Sequence, residues 1–291
     1  MIALLGLGSA IIYGASDFFA GLASRRLSSL FVAFLSSIVA GLLVLVGVLV
    51  SAPTWSTETV VLGSVAGLLG SIGTWAFYAS LAIGPMSVIS PGVATIYAVV
   101  PAIAGIALGE RFPPAGYVAL VAVVGAAILL SLNRGSEKAR IRPRAVLLGV
   151  IAGLGYAGYI IAIDRTSEES GLAPLLVDFL VAVLVLGLAL LTLRIRRFSQ
   201  PEATAPVAVS AEDRRRGLLL SVVTGVTLAV GNILLVIGLH IGDLAVMGVL
   251  NSLYPLGTVL LAMIVLRERL SPLQLTGVVL ALGGSALLAV A

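Results

Sequence analysis

Asp17 lies inside the apolar run YGASDFFAG (13–21), flanked by small and aromatic residues and by no other charge. An ionisable group within a membrane span costs roughly 2.5 to 3.5 kcal/mol on insertion scales and usually serves a function. Gly6, Ala10, Tyr13, Gly14, Asp17 and Gly21 recur at helical spacing. This small, polar stripe turns the acid toward neighbouring helices and away from lipid. A carboxylate so placed could bind a proton or the cationic part of a solute. The plainer alternative is that Asp17 lies close enough to Arg25 and Arg26 to reach water. Asp178, after Pro174, is the other acid well inside an apolar run. Its place near the outer end favours a solvated or helix-capping role, with the external mouth of a pathway as the second reading.

Three prolines deeper in apolar runs, Pro91, Pro101 and Pro255, each remove a backbone donor and free a carbonyl one turn earlier. Such kinks are tolerated where a cavity or another helix satisfies the carbonyl, so these helices are the expected gates. Around them stand Ser90 and Tyr97 in one half, and Asn251, Ser252 and Tyr254 in the other. As a set they predict a polar pocket between the halves, whereas any one of them alone could simply bond an adjacent helix. Asn232, beside Gly231, carries an amide able to read a carboxylate or an ammonium. Trp75 and Tyr78 occupy the equivalent stretch of an earlier run. Trp75 is deep enough to wall a pocket or hold a cation on its ring face, although aromatics near membrane ends usually anchor at the interface. Tyr13, Tyr156 and Tyr159 admit the same two readings.

The remaining chemistry is sparse. The chain has no cysteine and a single histidine, His240, which removes disulfides, thiolate chemistry and a multi-histidine metal site. There is no HExxH, no Cys/His pair and no aspartate pair at matched depth, so no catalytic residue, metal ligand or cofactor is expected. No GxxxxGK[ST] loop is present, so ATP is not a direct driver.

The elements that hold these residues are membrane helices. Of 291 residues, 60% are hydrophobic and 10% charged, against about 45–50% and about 25% in soluble domains, so no water-soluble surface can be assembled. Breaks in apolarity give ten runs near 2–23, 30–51, 59–83, 86–108, 114–132, 145–163, 171–193, 217–239, 244–266 and 272–290, each near the ~20 residues a span needs. The first run lacks a basic leader and is read as a retained helix. The positive charges test this count. Arg25, Arg26, the cluster Arg134 to Arg144, Arg194 to Arg197, Arg214 to Arg216, Arg267 and Arg269 all follow odd-numbered runs, and only Arg111 and Arg165 lie opposite. The positive-inside rule then puts those loops in the cytoplasm and both termini outside, in the cell membrane. The formal charge of +4 therefore reports topology and does not imply nucleic acid.

Residues 84–131 and 242–289 align without a gap, matching Gly84 with Gly242, Glu110 with Glu268, Arg111 with Arg269, Pro114 with Pro272 and Gly125 with Gly283. Gly6, Ser9 and Tyr13 lie opposite Gly149, Ala152 and Tyr156. Two five-helix repeats follow, 1–132 and 145–291, joined by a basic loop at 133–144, with a long cytoplasmic loop at 194–217. Five being odd, the second repeat enters the membrane inverted. The acid of the first helix falls opposite Ile160, so it breaks the symmetry. Glu110 and Glu268 end their helices, where a carboxylate opposes the helix dipole; Arg111 and Arg269 are expected to compensate, making structural latches.

With its Pro-bearing fourth and ninth helices ending in glutamate, ISPGVATIYAVVPAIAGIALGER (89–111) and LNSLYPLGTVLLAMIVLRER (250–269), the chain resembles the drug/metabolite transporter superfamily, specifically ten-helix proteins with two EamA-type domains. The resemblance implies a secondary transporter, with export the implied direction, for a small and partly apolar organic metabolite such as an amino acid. Multidrug or cation efflux is the alternative, and a non-transporting membrane scaffold the reading of another class. The site is expected near the midplane between helices 1, 3, 4, 6, 8 and 9, with the bilayer and a small solute as partners, protons as one possible coupling ion, and a monomer or homodimer as the working unit.

Overall fold

The computed structural model describes the chain apart from residues 25, 84–85, 132–142, 200–209, 255–256, 258–260, 262–263, 265–271 and 291; at 78, 81–83, 86–92, 127, 130–131, 196–199, 274, 285–286 and 288–290 only the backbone is described. Ten α-helices are present among the described residues: α1 (Ile2–Ser24), α2 (Ser29–Ser51), α3 (Thr57–Ile83), α4 (Met86–Ala107), α5 (Pro114–Ser131), α6 (Pro143–Asp164), α7 (Ala173–Ser199), α8 (Ala211–Ile241), α9 (Leu244–Asn251) and α10 (Pro272–Val290). A short 3₁₀ turn, Glu168–Ser170, precedes α7. Six of them are long and apolar enough to cross a bilayer, namely α1, α2, α6, α8, α3 over Thr57–Phe77 and α7 over Ala173–Ile195.

Two boundaries differ from the sequence reading. The segment 194–217 is not one long loop, since α7 continues to Ser199 and α8 starts at Ala211. Ser210 caps α8 by accepting from the Asp213 amide at 3.0 Å, and Glu212 pairs with Arg216 one turn on. Capping and i,i+4 pairing let a charged helix continue beyond its apolar stretch, which hydropathy alone does not register. The ninth run, expected over 244–266, is described as a helix over Leu244–Asn251 and a turn at Ser252 and Leu253, beyond which Tyr254, Gly257, Leu261 and Ile264 are again helical. Pro255 lies outside the described residues.

The most extensive helix packing is between the two repeats and not within them: α3 with α6, α1 with α8, and α5 with α10. Exchanging the first five helices for the last five maps α3–α6 onto α8–α1 and α3–α7 onto α8–α2, and both partners of each exchange are present. Small residues make these approaches possible. Ser9, Gly14 and Ser16 of α1 and Ser221, Gly225 and Gly231 of α8 are buried, as expected where close backbone packing replaces the hydrophobic effect between membrane helices. Hydroxyls in this seam bond carbonyls across it, Ser16 Oγ to Thr224 O at 3.2 Å and Ser36 Oγ to Ser221 O at 3.0 Å.

The glycines of α3 set the position of α7. A Cβ added at Gly63 would lie 2.7 Å from Pro174 O, and one at Gly67 would lie 2.6 Å from Asp178 O. The backbone of α7 therefore rests directly on α3 through its first turns, and Asp178 is held at this contact.

Candidate functional site

A cavity of about 170 Å³ lies among the helices and draws residues from α1 to α4 and from α6 to α9, together with Tyr254. Asp17 and Asp178 both line it. So do five tyrosines, Tyr13, Tyr97, Tyr156, Tyr159 and Tyr254, and the amides Asn232 and Asn251. No arginine, lysine or histidine is among its lining residues. The cavity thus gathers the polar residues of both repeats, with α2 and α7 as additional walls through Ser36, Ser37 and Asp178.

The tyrosines and asparagines are tied to each other. Tyr97 Oη of α4 donates to Asn251 Oδ1 of α9 at 2.8 Å, and Asn251 Nδ2 donates to Ser9 Oγ of α1 at 2.6 Å. Tyr159 Oη of α6 donates to Asn232 Oδ1 of α8, whose Nδ2 returns to Leu228 O at 2.9 Å. Each asparagine is at least 96% buried, and such groups must be satisfied internally where no water reaches. These two relays fix the Tyr97 and Tyr159 rings at the cavity wall. Tyr156 stacks edge-on against Tyr97 and Phe77 with centroids 6.3 and 6.2 Å apart.

The carboxylates differ from these groups. Neither Asp17 nor Asp178 makes a hydrogen bond or ion pair with another described residue, although Asp178 is only 6% exposed. Sequence reasoning placed Asp178 in a solvated or capping role and found no aspartate pair at matched depth. The structure corrects the first point. Asp178 is buried, caps nothing, and faces the same cavity as Asp17. Its proximity to the start of α7 misleads because that end of the helix packs on the glycines of α3. Ser36 and Ser37, side by side in the middle of an apolar run, were a legible signal for α2 that the sequence reading did not use.

Other expected residues fall elsewhere. Trp75 is 52% exposed and is not among the residues that line this cavity; its position in the run gave depth but not direction around the helix. Ser252 is buried, but its hydroxyl bonds Val249 O at 2.7 Å within its own turn. The side chains of Tyr78, Ser90 and Pro91 lie outside the described residues, as do Glu268 and Arg269. α4 passes through Pro91 and Pro101 as one continuous helix. Pro101 forms the crossing with α9, where a Cβ on Gly248 would lie 2.7 Å from its ring.

Glu110 makes a latch of a different kind from the one expected. Its carboxylate accepts from the amides of Leu244 at 2.7 Å and Ala245 at 3.0 Å, the first two residues of α9. It therefore caps the partner repeat's helix, where the dipole favours negative charge. Arg111 is not its counter-ion: the guanidinium donates to Ile106 O and Glu110 O, each at 3.1 Å, capping α4. The geometry comes from the local sequence. Gly109 has φ +113°, with Gly109 N bonding Ile106 O and Glu110 N bonding Gly105 O, a Schellman-type stop that requires glycine. Gly105 has no side chain in the space the returning carboxylate occupies. Desolvation at this junction pushes the Glu110 carboxyl above the usual glutamate range; the two amides oppose the shift and Asp243 adds to it.

The sequence profile of the EamA-like transporter family matches residues 1–132 and 143–290. The chain belongs to that family. It is thereby a multi-pass membrane protein of the drug/metabolite transporter superfamily, with one EamA unit in each repeat. No match is found among curated proteins. Of the 29 matching chains of solved structures, one crystal structure of a protein is 17% identical, with a TM-score of 0.71 over 99% of this EamA chain and 97% of its own. At that identity the likeness shows the fold alone.

Proposed function

We propose that this EamA protein is a secondary transporter that carries small organic cations across the cell membrane by alternating access between two inverted repeats. The observation that carries this reading is the cavity itself, with two unpaired carboxylates, five tyrosines and no basic side chain among its lining residues. Carboxylates attract an ammonium group directly, and tyrosine faces add a further attraction to a desolvated cation. A neutral amino acid would find a partner for its ammonium but would bring its own carboxylate against two acids. The geometry therefore favours the cation reading over the amino-acid reading that the sequence suggested first.

Asp17 and Asp178 need a neutralising charge in a dry site, which a proton or the solute can supply. Proton and cation competing for the same carboxylates would couple their movements in opposite directions, with the solute leaving the cytoplasm. Both termini face outward in this scheme, and one chain holding both repeats closes its own pathway.

The test is counterflow in proteoliposomes loaded with n-butylamine, with tetramethylammonium and neutral amino acids as competitors. Saturable exchange, inhibited by tetramethylammonium and lost in Asp17→Asn, is expected. Saturable amino-acid exchange indifferent to amines would overturn the cation reading, and the absence of flux for every solute would support a scaffold.

A further inference from the structure

Two acids in one cavity are more than a single cation requires. We infer that the preferred solute is a linear diamine, one ammonium held at Asp17 and the other at Asp178, an inference that rests on the cation-transport reading above. Three observations lead there. First, both carboxylates line the same cavity, and no basic residue stands among its lining residues to neutralise either of them. Second, Asp178 is a charged side chain 94% buried that faces this space with no hydrogen-bond or ion-pair partner among the described residues. With a monocation at Asp17, Asp178 must be neutralised by a proton, because an unpaired buried charge is unfavourable; a second ammonium on the same solute takes that proton's place.

Third, the two acids are set at different heights. α1 and α2 are joined by a short turn, and Asp17 lies seven residues before the end of α1 at Ser24. Phe179, next to Asp178, packs on α2 at Gly41, where a Cβ would lie 3.2 Å from Phe179 Cβ. Gly41 lies twelve residues after the start of α2 at Ser29. At 1.5 Å per residue the two levels differ by about 8 Å. A flexible chain of a few methylenes with an ammonium at each end spans that interval, and Phe77, Leu186 and Leu228 add apolar side chains to the cavity lining that suit its middle. Two acids sharing one cation would sit at one level; two acids a short chain apart fit a solute charged at both ends.

The experiment compares putrescine with n-butylamine, which have the same carbon chain and differ in one amino group. In proteoliposomes of the full chain, putrescine is expected to compete for counterflow at least ten-fold more effectively than butylamine. Asp178→Asn, which conserves shape, should bring the ratio of putrescine to butylamine competition close to one, whatever the rate of exchange that remains. Equal competition by the two amines in the wild-type protein overturns the inference without any variant and leaves the cation reading standing. A ratio unchanged in Asp178→Asn also overturns it. If neither amine is exchanged, the cation reading has failed and this inference falls with it.

Discussion

Glu110 and Asp178 are both carboxylates drawn away from bulk water, and the protein treats them in opposite ways. Glu110 is folded back by Gly109 onto the amides of Leu244 and Ala245, so its lone pairs are used and its charge meets the positive end of a helix. Asp178 is buried more deeply and has no such partner among the described residues. A carboxylate whose bonds are complete holds two repeats together. One whose bonds are incomplete waits for something that arrives from outside. The same residue chemistry thus separates a structural junction from a binding surface, and the difference lies in the backbone around it.

The largest expected effect tests the incomplete side of that contrast. Asp17→Asn should lower cation transport by about two orders of magnitude, because losing one partner of a desolvated charge pair costs about 2–5 kcal/mol. Initial rates in proteoliposomes at matched protein density check it, and a rate within two-fold of wild type would place Asp17 outside the pathway. Next, Glu110→Ala leaves the first two amides of α9 without an acceptor and should destabilise the fold by about 1–3 kcal/mol. The thermal midpoint in detergent reads this, while transport per folded molecule should persist. A loss of transport at unchanged stability would erase the distinction between the two carboxylates.

The pH dependence of stability sharpens the comparison further. The Glu110 pKa is raised in the folded state, chiefly by desolvation, so the folded protein takes up its proton more readily than the unfolded chain. That contribution is fully present below the ordinary glutamate pKa and is lost as pH rises through the folded value. Thermal unfolding followed upward from the glutamate range should show this decline, and Glu110→Gln should flatten it.

Smaller effects remain. Tyr97→Phe removes the donor to Asn251 and should cost about 1 kcal/mol, with a modest loss of transport as the ring loosens. Trp75→Ala should change transport by less than two-fold, since the side chain is exposed and away from the cavity. A strong transport defect there would return Trp75 to the site.

Much of the architecture was legible in the sequence because it rests on one-dimensional quantities. Span length and the match of 84–131 to 242–289 need no knowledge of direction around a helix. Asp17 was legible for a similar reason, since its stripe of small neighbours gives a face. Asp178 was not, because α7 is apolar all round and offers no stripe to orient it, and the cause of its burial lies in Gly63 and Gly67, over a hundred residues away. Trp75 failed by the same logic, its depth readable and its azimuth not. The partners of Glu110 were invisible for another reason: they are main-chain amides, which no pattern of side chains announces.

The interleaving of the repeats has a consequence for how the protein is made. α3 finds its most extensive partner in α6 and α1 in α8, so the first five helices lack a complete core of their own. Synthesis runs from the N-terminus, and the glycine face of α3 must therefore remain in the bilayer uncovered until α6 and α7 follow. The first repeat is held in the membrane as a half-built assembly, and its maturation is timed by translation of the second.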